Sequence, residues 1–242
     1  MKFEKKYTVG VREIGLSNKI TNIGILGFLE DIASLHSAMV GYGVDDINTK
    51  NKVWILMDWK LKVLKRPKYG DNLNIKTWAR PIAKSRFYSY RDFEIFNEEN
   101  ILVAIATSKW VLFDLEKNKI SKLEDELLAL YNPSVEHVFE DEELEKIRTF
   151  TDSKTNFKYQ VRRTDIDVNK HMHNLNYLSL AYEVLPEEIY EKPELSNVRI
   201  MYKHQIKLGD TVNCFYNCVD NKHVIEIKSD DSKILHAIIE IS

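Results

Sequence analysis

The segments KYGDNLNI (residues 68–75) and KLGDTVNC (residues 207–214) indicate a repeated fold, because each has a Gly-Asp turn that leads into a strand-like run. Glycine tolerates positive φ and aspartate hydrogen-bonds to nearby backbone, so both residues favour turns. A second pair, VREIG (11–15) and VRRTD (161–165), lies earlier in each half, in the same order. The members of the two pairs lie about 139 and 150 residues apart, which predicts a duplicated unit.

Each half contains one helix-like segment followed by strand-like segments. The helices are predicted near 21–40 and 171–184, and in the first of them Ile25, Leu29, Ile32 and Leu35 recur at helical spacing. Alternating bulky and polar residues predict strands at 54–64, 72–78, 88–96, 102–112, 198–206, 211–219, 223–228 and 234–241. A helix laid on an antiparallel sheet buries its apolar stripe, so we predict an α+β chain of two similar units.

The acidic run EHVFEDEELE (136–145) is the natural connection between the two units. We therefore predict a first domain at 1–130, an acidic linker at 131–155 and a second domain at 156–242.

Composition and charge narrow the classes of function. The 35 basic and 37 acidic side chains nearly balance, so we expect neither a nucleic-acid nor a membrane partner. No apolar run suits a signal peptide or a membrane span. Cys214 and Cys218 are expected to be reduced thiols, which predicts a cytoplasmic protein.

The densest polar cluster is DIDVNKHMHNLNY (165–177), at the predicted start of the second helix. Asp167, Asn169 and His171 are spaced by two, so in an extended stretch their side chains would share one side. A carboxylate, an amide and an imidazole can together orient a water and transfer its proton. The amides of the helix start could hold a developing oxyanion.

Other interpretations of this cluster stay open. Asp167 or Asn169 could cap the helix, since Asp and Asn are common caps. His171 and His173 form an H-x-H pair, but no Cys or carboxylate cluster in the sequence completes a metal site. The remaining histidines, His36, His137, His204, His223 and His236, are expected to have packing or surface roles.

The cluster resembles the acyl-acyl-carrier-protein thioesterases of plants and bacteria. Their D-x-D-x-N-x-H-x-x-N-x-x-Y pattern is matched by Asp165, Asp167, Asn169, His171, Asn174 and Tyr177. The segments at 54–78 and 107–123 also resemble the strands of that family's first domain.

The resemblance implies two tandem hotdog domains and hydrolysis of a fatty acyl thioester without metal or organic cofactor. It implies that the second domain is catalytic, through Asp167, Asn169 and His171, and that the first shapes the acyl pocket. Asn169 would polarise the thioester, His171 would orient water or shuttle a proton, and Asp167 would be either base or nucleophile. Asn174 and Gln205 are the expected substrate-binding residues.

Two departures from the family pattern stand out. A Glu that the family carries in the strand after the second helix corresponds to Gln205, which cannot act as a base but can hold an oxygen by hydrogen bonds. A family Asn corresponds to His173, which could change proton handling or face solvent.

The expected partner is an acyl carrier protein with a phosphopantetheine-linked acyl chain. Because the carrier is expected to be acidic, Lys60, Lys62, Lys65, Arg66 and Lys68 form a candidate docking patch. An acyl-coenzyme A thioesterase, a non-catalytic acyl-binding protein and a hydroxyacyl dehydratase are alternatives. A homodimer is a further alternative that the sequence does not decide, since two fused units can already form with each other the contact that separate subunits would need.

Overall fold

The computed structural model describes residues 2–81, 85–140, 143–150, 152–153, 155–190 and 195–242. The chain forms two compact units, Met1–Leu144 and Glu145–Ser242. The boundary between them lies within the range predicted as a linker, of which residues 141, 142, 151 and 154 lie outside the described residues.

The first unit combines one long helix with one antiparallel sheet. The helices are α1 (Asn22–Met39), α2 (Ile47–Lys50) and α3 (Asp125–Leu130). The strands are β1 (Phe3–Thr8), β2 (Lys52–Val63), β3 (Asn72–Ala79), β4 (Ser89–Asn97), β5 (Leu102–Asp114) and β6 (Lys119–Ile120). They lie in the order β1-β3-β4-β5-β2, and β6 pairs with β5.

The second unit repeats this arrangement. Its helices are α4 (Asn174–Glu183) and α5 (Glu187–Tyr190). Its strands are β7 (Thr155–Gln160), β8 (Asn197–Tyr202), β9 (Thr211–Val219), β10 (Lys222–Ser229) and β11 (Leu235–Ile241). The order β7-β9-β10-β11-β8 matches that of the first unit strand for strand, so the predicted α+β duplication is confirmed.

Helix α1 buries one stripe of side chains. The hydroxyl of Thr21 caps its first turn by accepting the N–H of Gly24 at 2.9 Å. The helix packs against β1 and β3, and each buried Ile or Leu contributes roughly 1.5–3 kcal/mol. Leu35, predicted to belong to the stripe, is instead exposed, because that face of the helix continues through His36. The buried stripe runs through Ile25, Leu29, Ile32 and His36, and Leu26 and Ala33 beside it are also buried.

Both Gly-Asp turns form as predicted, with the same hydrogen bonds. The Asp71 carboxylate accepts the N–H of Lys68 at 2.9 Å, and the Asp210 carboxylate accepts that of Lys207 at 2.8 Å. The glycines within these turns have φ of 84° and 83°, a conformation that favours glycine over any side chain.

Several predicted boundaries are wrong. Helix α4 begins at Asn174 rather than near 171, because a hairpin occupies the preceding residues. The strand predicted at 198–206 ends at Tyr202. Strands β1 and β7, which precede each helix, were not predicted. The counterpart of Val161 is Val9 rather than Val11. The N–H of Val9 donates to the carbonyl of Asp71, and the N–H of Val161 donates to the carbonyl of Asp210, both at 2.9 Å.

Within the described residues, no single helix has both the length and the apolar character that a membrane span requires. Helix α1 and the helical segment 44–50 meet that criterion only as a pair, bent by 49°.

Candidate active site

A tight β-hairpin precedes α4 and carries three of the predicted site residues. The N–H of Asp167 donates to the carbonyl of His171 at 2.8 Å, and the N–H of Lys170 donates to the carbonyl of Asp167 at 3.0 Å. Lys170 has φ of 63°, the left-handed residue that closes a three-residue hairpin loop. The prediction that the three residues lie along an extended stretch is therefore wrong, because the chain reverses between Asp167 and His171.

The carboxylate of Asp167 contacts the other two residues of the predicted set. Its Oδ1 accepts the backbone N–H of Asn169 at 2.8 Å and that of His171 at 3.2 Å. Its Oδ2 lies 3.5 Å from the side-chain Nδ2 of Asn169, at the limit of a hydrogen bond. Asp167 and His171 are half-buried and Asn169 is exposed. The three residues thus share one hairpin, in which the Asp167 carboxylate contacts His171 through its backbone N–H.

Asp165 anchors the base of the hairpin. Its carboxylate accepts the hydroxyl of Tyr159 at 2.6 Å, the backbone N–H of Arg162 at 2.7 Å and the Arg162 guanidinium at 3.2 Å. Burial opposes the charged form, but these donors outweigh it and hold the pKa of Asp165 below its usual range. Asp165 is therefore an ionised structural group.

The hairpin is also fixed to α4 and to the segment after β8. The carbonyl of Asp165 accepts the side-chain amide of Asn176 at 3.1 Å. The N–H of Met172 donates to the carbonyl of Ile206 at 2.8 Å, and the N–H of Ile206 donates to the hydroxyl of Tyr177 at 3.2 Å. Burial and the nearby Asp167 charge raise the pKa of that hydroxyl. Strand β7, helix α4 and the segment after β8 therefore all hold the hairpin in place.

The two predicted substrate-binding residues lie beside the hairpin. Asn174 is the first residue of α4, and its carbonyl accepts the hydroxyl of Tyr202 at 3.1 Å. Gln205 is exposed and lies beyond the end of β8, not within a strand as expected. Because Lys207 pairs with His171 and Ile206 bonds to Met172, Gln205 continues the segment that runs alongside the hairpin.

His173 caps helix α4. Its Nδ1 accepts the N–H of Leu175 at 3.3 Å, and its carbonyl accepts the N–H of Asn176 at 2.9 Å. The cap is thus an imidazole, and neither Asp167 nor Asn169 caps this helix. Two of the amides expected to hold an oxyanion are already bonded, so the side-chain amide of Asn169 is the better donor for a substrate oxygen.

The first unit contains the same hairpin without the same side chains. The N–H of Gly15 donates to the carbonyl of Lys19 at 3.0 Å, and the N–H of Asn18 donates to the carbonyl of Gly15 at 3.0 Å. Asn18, like Lys170, has positive φ, at 58°. Gly15, Ser17 and Lys19 therefore stand where the second unit has Asp167, Asn169 and His171. The backbone scaffold is duplicated, but the carboxylate, amide and imidazole belong to the second unit.

Sequence reasoning missed one residue that supports the site. His236, on β11, is buried, and its Nδ1 lies 3.1 Å from the carbonyl of His204. The carbonyl of His236 accepts the N–H groups of Lys203 and His204 at 2.8 and 3.2 Å. Burial lowers the pKa of His236, which favours the neutral ring. His236 therefore positions the segment that leads to Gln205, a contact across 32 residues with no local signal.

The described residues contain no group of three or more His, Cys, Asp or Glu side chains that could hold a metal ion. Cys214 is buried, and burial raises the pKa of its thiol to about 12, so it is not a nucleophile at neutral pH. The chemistry available at the hairpin is that of a fixed carboxylate, an amide donor and an imidazole. Such a set suits the attack of water on a polarised carbonyl group.

Sequence profiles identify the family. The profile described as Acyl-ACP thioesterase N-terminal domain matches residues 1–131, and the profile for the C-terminal domain of that family matches residues 148–240. The chain belongs to the acyl-ACP thioesterase family. Its two units are tandem hotdog domains, as the resemblance implied.

Curated acyl-ACP thioesterases resemble the chain at low identity. Oleoyl-acyl carrier protein thioesterase 2 of Arabidopsis thaliana is 23% identical over 227 residues, which cover 87% of this chain and 61% of that protein. Dodecanoyl-[acyl-carrier-protein] hydrolase of Umbellularia californica is 22% identical over 215 residues, which cover 84% of this chain and 56% of that protein. The chain thus spans about six tenths of the length of these relatives, whose names describe them as chloroplastic.

Solved acyl-ACP thioesterases share the fold. The 12:0-ACP thioesterase from Umbellularia californica superposes with a TM-score of 0.87 at 17% identity, covering 100% of this chain and 96% of that one. An acyl-ACP thioesterase from Bacteroides thetaiotaomicron gives the same TM-score and identity, covering 99% of this chain and 96% of that one.

Proposed function

We propose that this chain hydrolyses fatty acyl-acyl-carrier-protein thioesters and releases free fatty acid, which ends chain extension. The observation that carries the proposal is the duplicated hairpin, of which the second copy holds Asp167, Asn169 and His171. Membership of the acyl-ACP thioesterase family supports the substrate class. In this proposal the second unit performs the chemistry and the first shapes the acyl pocket.

The geometry of the hairpin supports a separate role in hydrolysis for each of the three side chains. Two backbone N–H groups occupy Oδ1 of Asp167, which leaves Oδ2 to act on a water molecule. The amide of Asn169 donates to the carbonyl oxygen as negative charge develops there. Oδ2 of Asp167 takes one proton from the water as its hydroxide adds to the carbonyl carbon. The carbon–sulfur bond then breaks, and that proton passes through His171 to the departing thiolate, which leaves fatty acid and free thiol.

The test is release of fatty acid from carrier-bound acyl chains of graded length, followed by mass spectrometry. We expect turnover of at least one chain length, and a higher kcat/KM on the carrier thioester than on the matched acyl-coenzyme A. A higher value on acyl-coenzyme A would reassign the carrier. Tight binding with every thioester left intact would make the chain a non-catalytic acyl-binding protein.

A direct attack of Asp167 on the thioester carbon is the second candidate mechanism, because the same Oδ2 is available for it. Single-turnover hydrolysis in H₂¹⁸O, combined with mass spectrometry of the acid-quenched protein for a covalent acyl adduct, separates the two routes. If Asp167 activates water, ¹⁸O enters the fatty acid in the first turnover. If Asp167 is the nucleophile, hydrolysis of the acyl-enzyme at its aspartyl carbon places ¹⁸O in the Asp167 carboxylate, which peptide mass spectrometry detects.

A further inference from the structure

The hairpin of the first unit exposes large apolar side chains beside two lysines. Leu16, at the hairpin tip, is 94% exposed, and Tyr69, in the adjoining Gly-Asp turn, is 58% exposed. The two loops touch, because Lys19 pairs with Lys68 and the N–H of Tyr69 donates to the carbonyl of Asn18 at 3.4 Å. We call Leu16, Lys19, Lys68 and Tyr69 the first-unit patch. Clustered exposed apolar residues mark interaction sites more often than isolated ones do.

The second unit has the same surface at the equivalent positions. Val168, at its hairpin tip, is 75% exposed, and Leu208, in its Gly-Asp turn, is 53% exposed. Lys207, the counterpart of Lys68, is exposed and pairs with His171. Here the apolar and basic side chains belong to the hairpin and the adjoining turn that carry the candidate active site, where the partner that delivers the thioester must approach.

We propose that the first-unit patch is a non-catalytic docking surface for the acidic carrier protein. The inference rests on the proposed function, because it takes the carrier thioester as substrate. Both units keep apolar residues and a lysine at the same exposed positions, although the first unit lacks the carboxylate, amide and imidazole. Because the first hairpin lacks those side chains, contact with a partner accounts for its exposed apolar and basic surface. Lysines suit an acidic partner, and Leu16 and Tyr69 supply the apolar contact.

This proposal revises the patch predicted from the sequence. Arg66 makes hydrogen bonds inside the first unit. Its guanidinium donates to the carbonyl of Ile20 at 2.9 Å and to the side chain of Asn22 at 2.8 Å. Lys60 lies over the ring of Phe139, 4.3 Å from its centroid. Lys68 belongs to both the predicted patch and the first-unit patch.

The experiment is the double charge reversal Lys19→Glu/Lys68→Glu, compared with Lys119→Glu/Lys122→Glu, which alters two exposed lysines elsewhere in the same unit. Hydrolysis is measured with one acyl chain on the carrier protein and on pantetheine. In ~50 mM salt we expect the first variant to raise KM for the carrier substrate about tenfold with kcat unchanged, and the increase to shrink in ~500 mM salt. Neither variant should change hydrolysis of acyl-pantetheine.

Direct binding of the holo-carrier protein, without an acyl group, gives a readout independent of turnover. Weaker binding by Lys19→Glu/Lys68→Glu alone supports the proposal, and equal binding and KM in both variants overturns it. Analytical ultracentrifugation tests whether a second copy of the chain occupies the patch instead. If the wild type is a dimer, and the patch variant is a monomer with unchanged KM, the surface is a contact between copies of the chain and the carrier assignment is overturned. A wild-type protein that binds the carrier but cleaves no thioester overturns the proposed function instead.

Discussion

Replacement of Asp167 by Asn separates the charge of this carboxylate from its role in the hairpin. Asn keeps an oxygen that can accept the N–H groups of Asn169 and His171, now bonded at 2.8 and 3.2 Å, whereas Ala removes both bonds. Each such bond contributes about 0.5–1.5 kcal/mol. The first-unit hairpin forms with Gly15 at this position, so the backbone does not require the carboxylate. We expect Asp167→Ala to cost ~1–2 kcal/mol of unfolding free energy and Asp167→Asn less than ~0.5 kcal/mol.

Activity should respond in a different pattern. Both variants lose the carboxylate that we propose acts on water or the thioester, so kcat/KM should fall by at least ~100-fold, or about 2.7 kcal/mol of barrier. The assay is fatty acid release from an acyl-carrier thioester, with urea unfolding on the same preparations. Asp46→Asn is the matched control, since the Asp46 carboxylate accepts the backbone N–H of Gly43 at 2.9 Å in the first unit, outside both hairpins and both Gly-Asp turns. It should leave kcat/KM unchanged.

Two results would refute this reasoning. If Asp167→Asn kept kcat/KM within about threefold of wild type, the negative charge would have no part in the chemistry. If the variant lost activity only in proportion to a loss of folded protein, Asp167 would be a structural residue. The control would have to keep its activity for either conclusion to stand.

Three further measurements test the structure. Burial, and then the Arg91 charge, lower the pKa of His36 to about 4, so the unfolded chain binds the proton more readily than the folded one. Lowering the pH from 6.5 to 5 should therefore reduce the free energy of unfolding in urea by about 1.6 kcal/mol, and His36→Gln should largely remove this loss. Burial raises the pKa of the Cys214 thiol to about 12, so a thiol reagent at pH 8 should label Cys218 alone in native protein and both cysteines in urea; rapid native labelling of Cys214 would contradict its burial. Gly209→Ala should cost ~1–2 kcal/mol through its φ of 83° alone, because no atom lies within 4 Å of the added methyl group; an unchanged urea midpoint would mean that the turn has another conformation.

The sequence predicts the fold well wherever the relevant signal is local. Helix α1 lies within one residue of its predicted range, because apolar spacing and a cap at Thr21 define a helix over a few turns. The Gly-Asp turns were predicted for the same reason, since a turn is decided by four residues. The predicted strand at 198–206 is too long. After Tyr202 the N–H groups of Lys203 and His204 both donate to the carbonyl of His236, which ends the regular pairing, and Ile206 then accepts the N–H of Met172 in the hairpin.

The amino-acid sequence alone establishes the duplication and the concentration of polar side chains in residues 165–177. The contacts among these residues depend on the packed chain. The reversal between Asp167 and His171, the cap formed by His173 and the contact of His236 with the carbonyl of His204 depend on partners that residue spacing does not reveal. The physical reason is that period and turn propensity act over a few residues, whereas a backbone amide bonds to whichever acceptor the packed chain brings within about 3 Å.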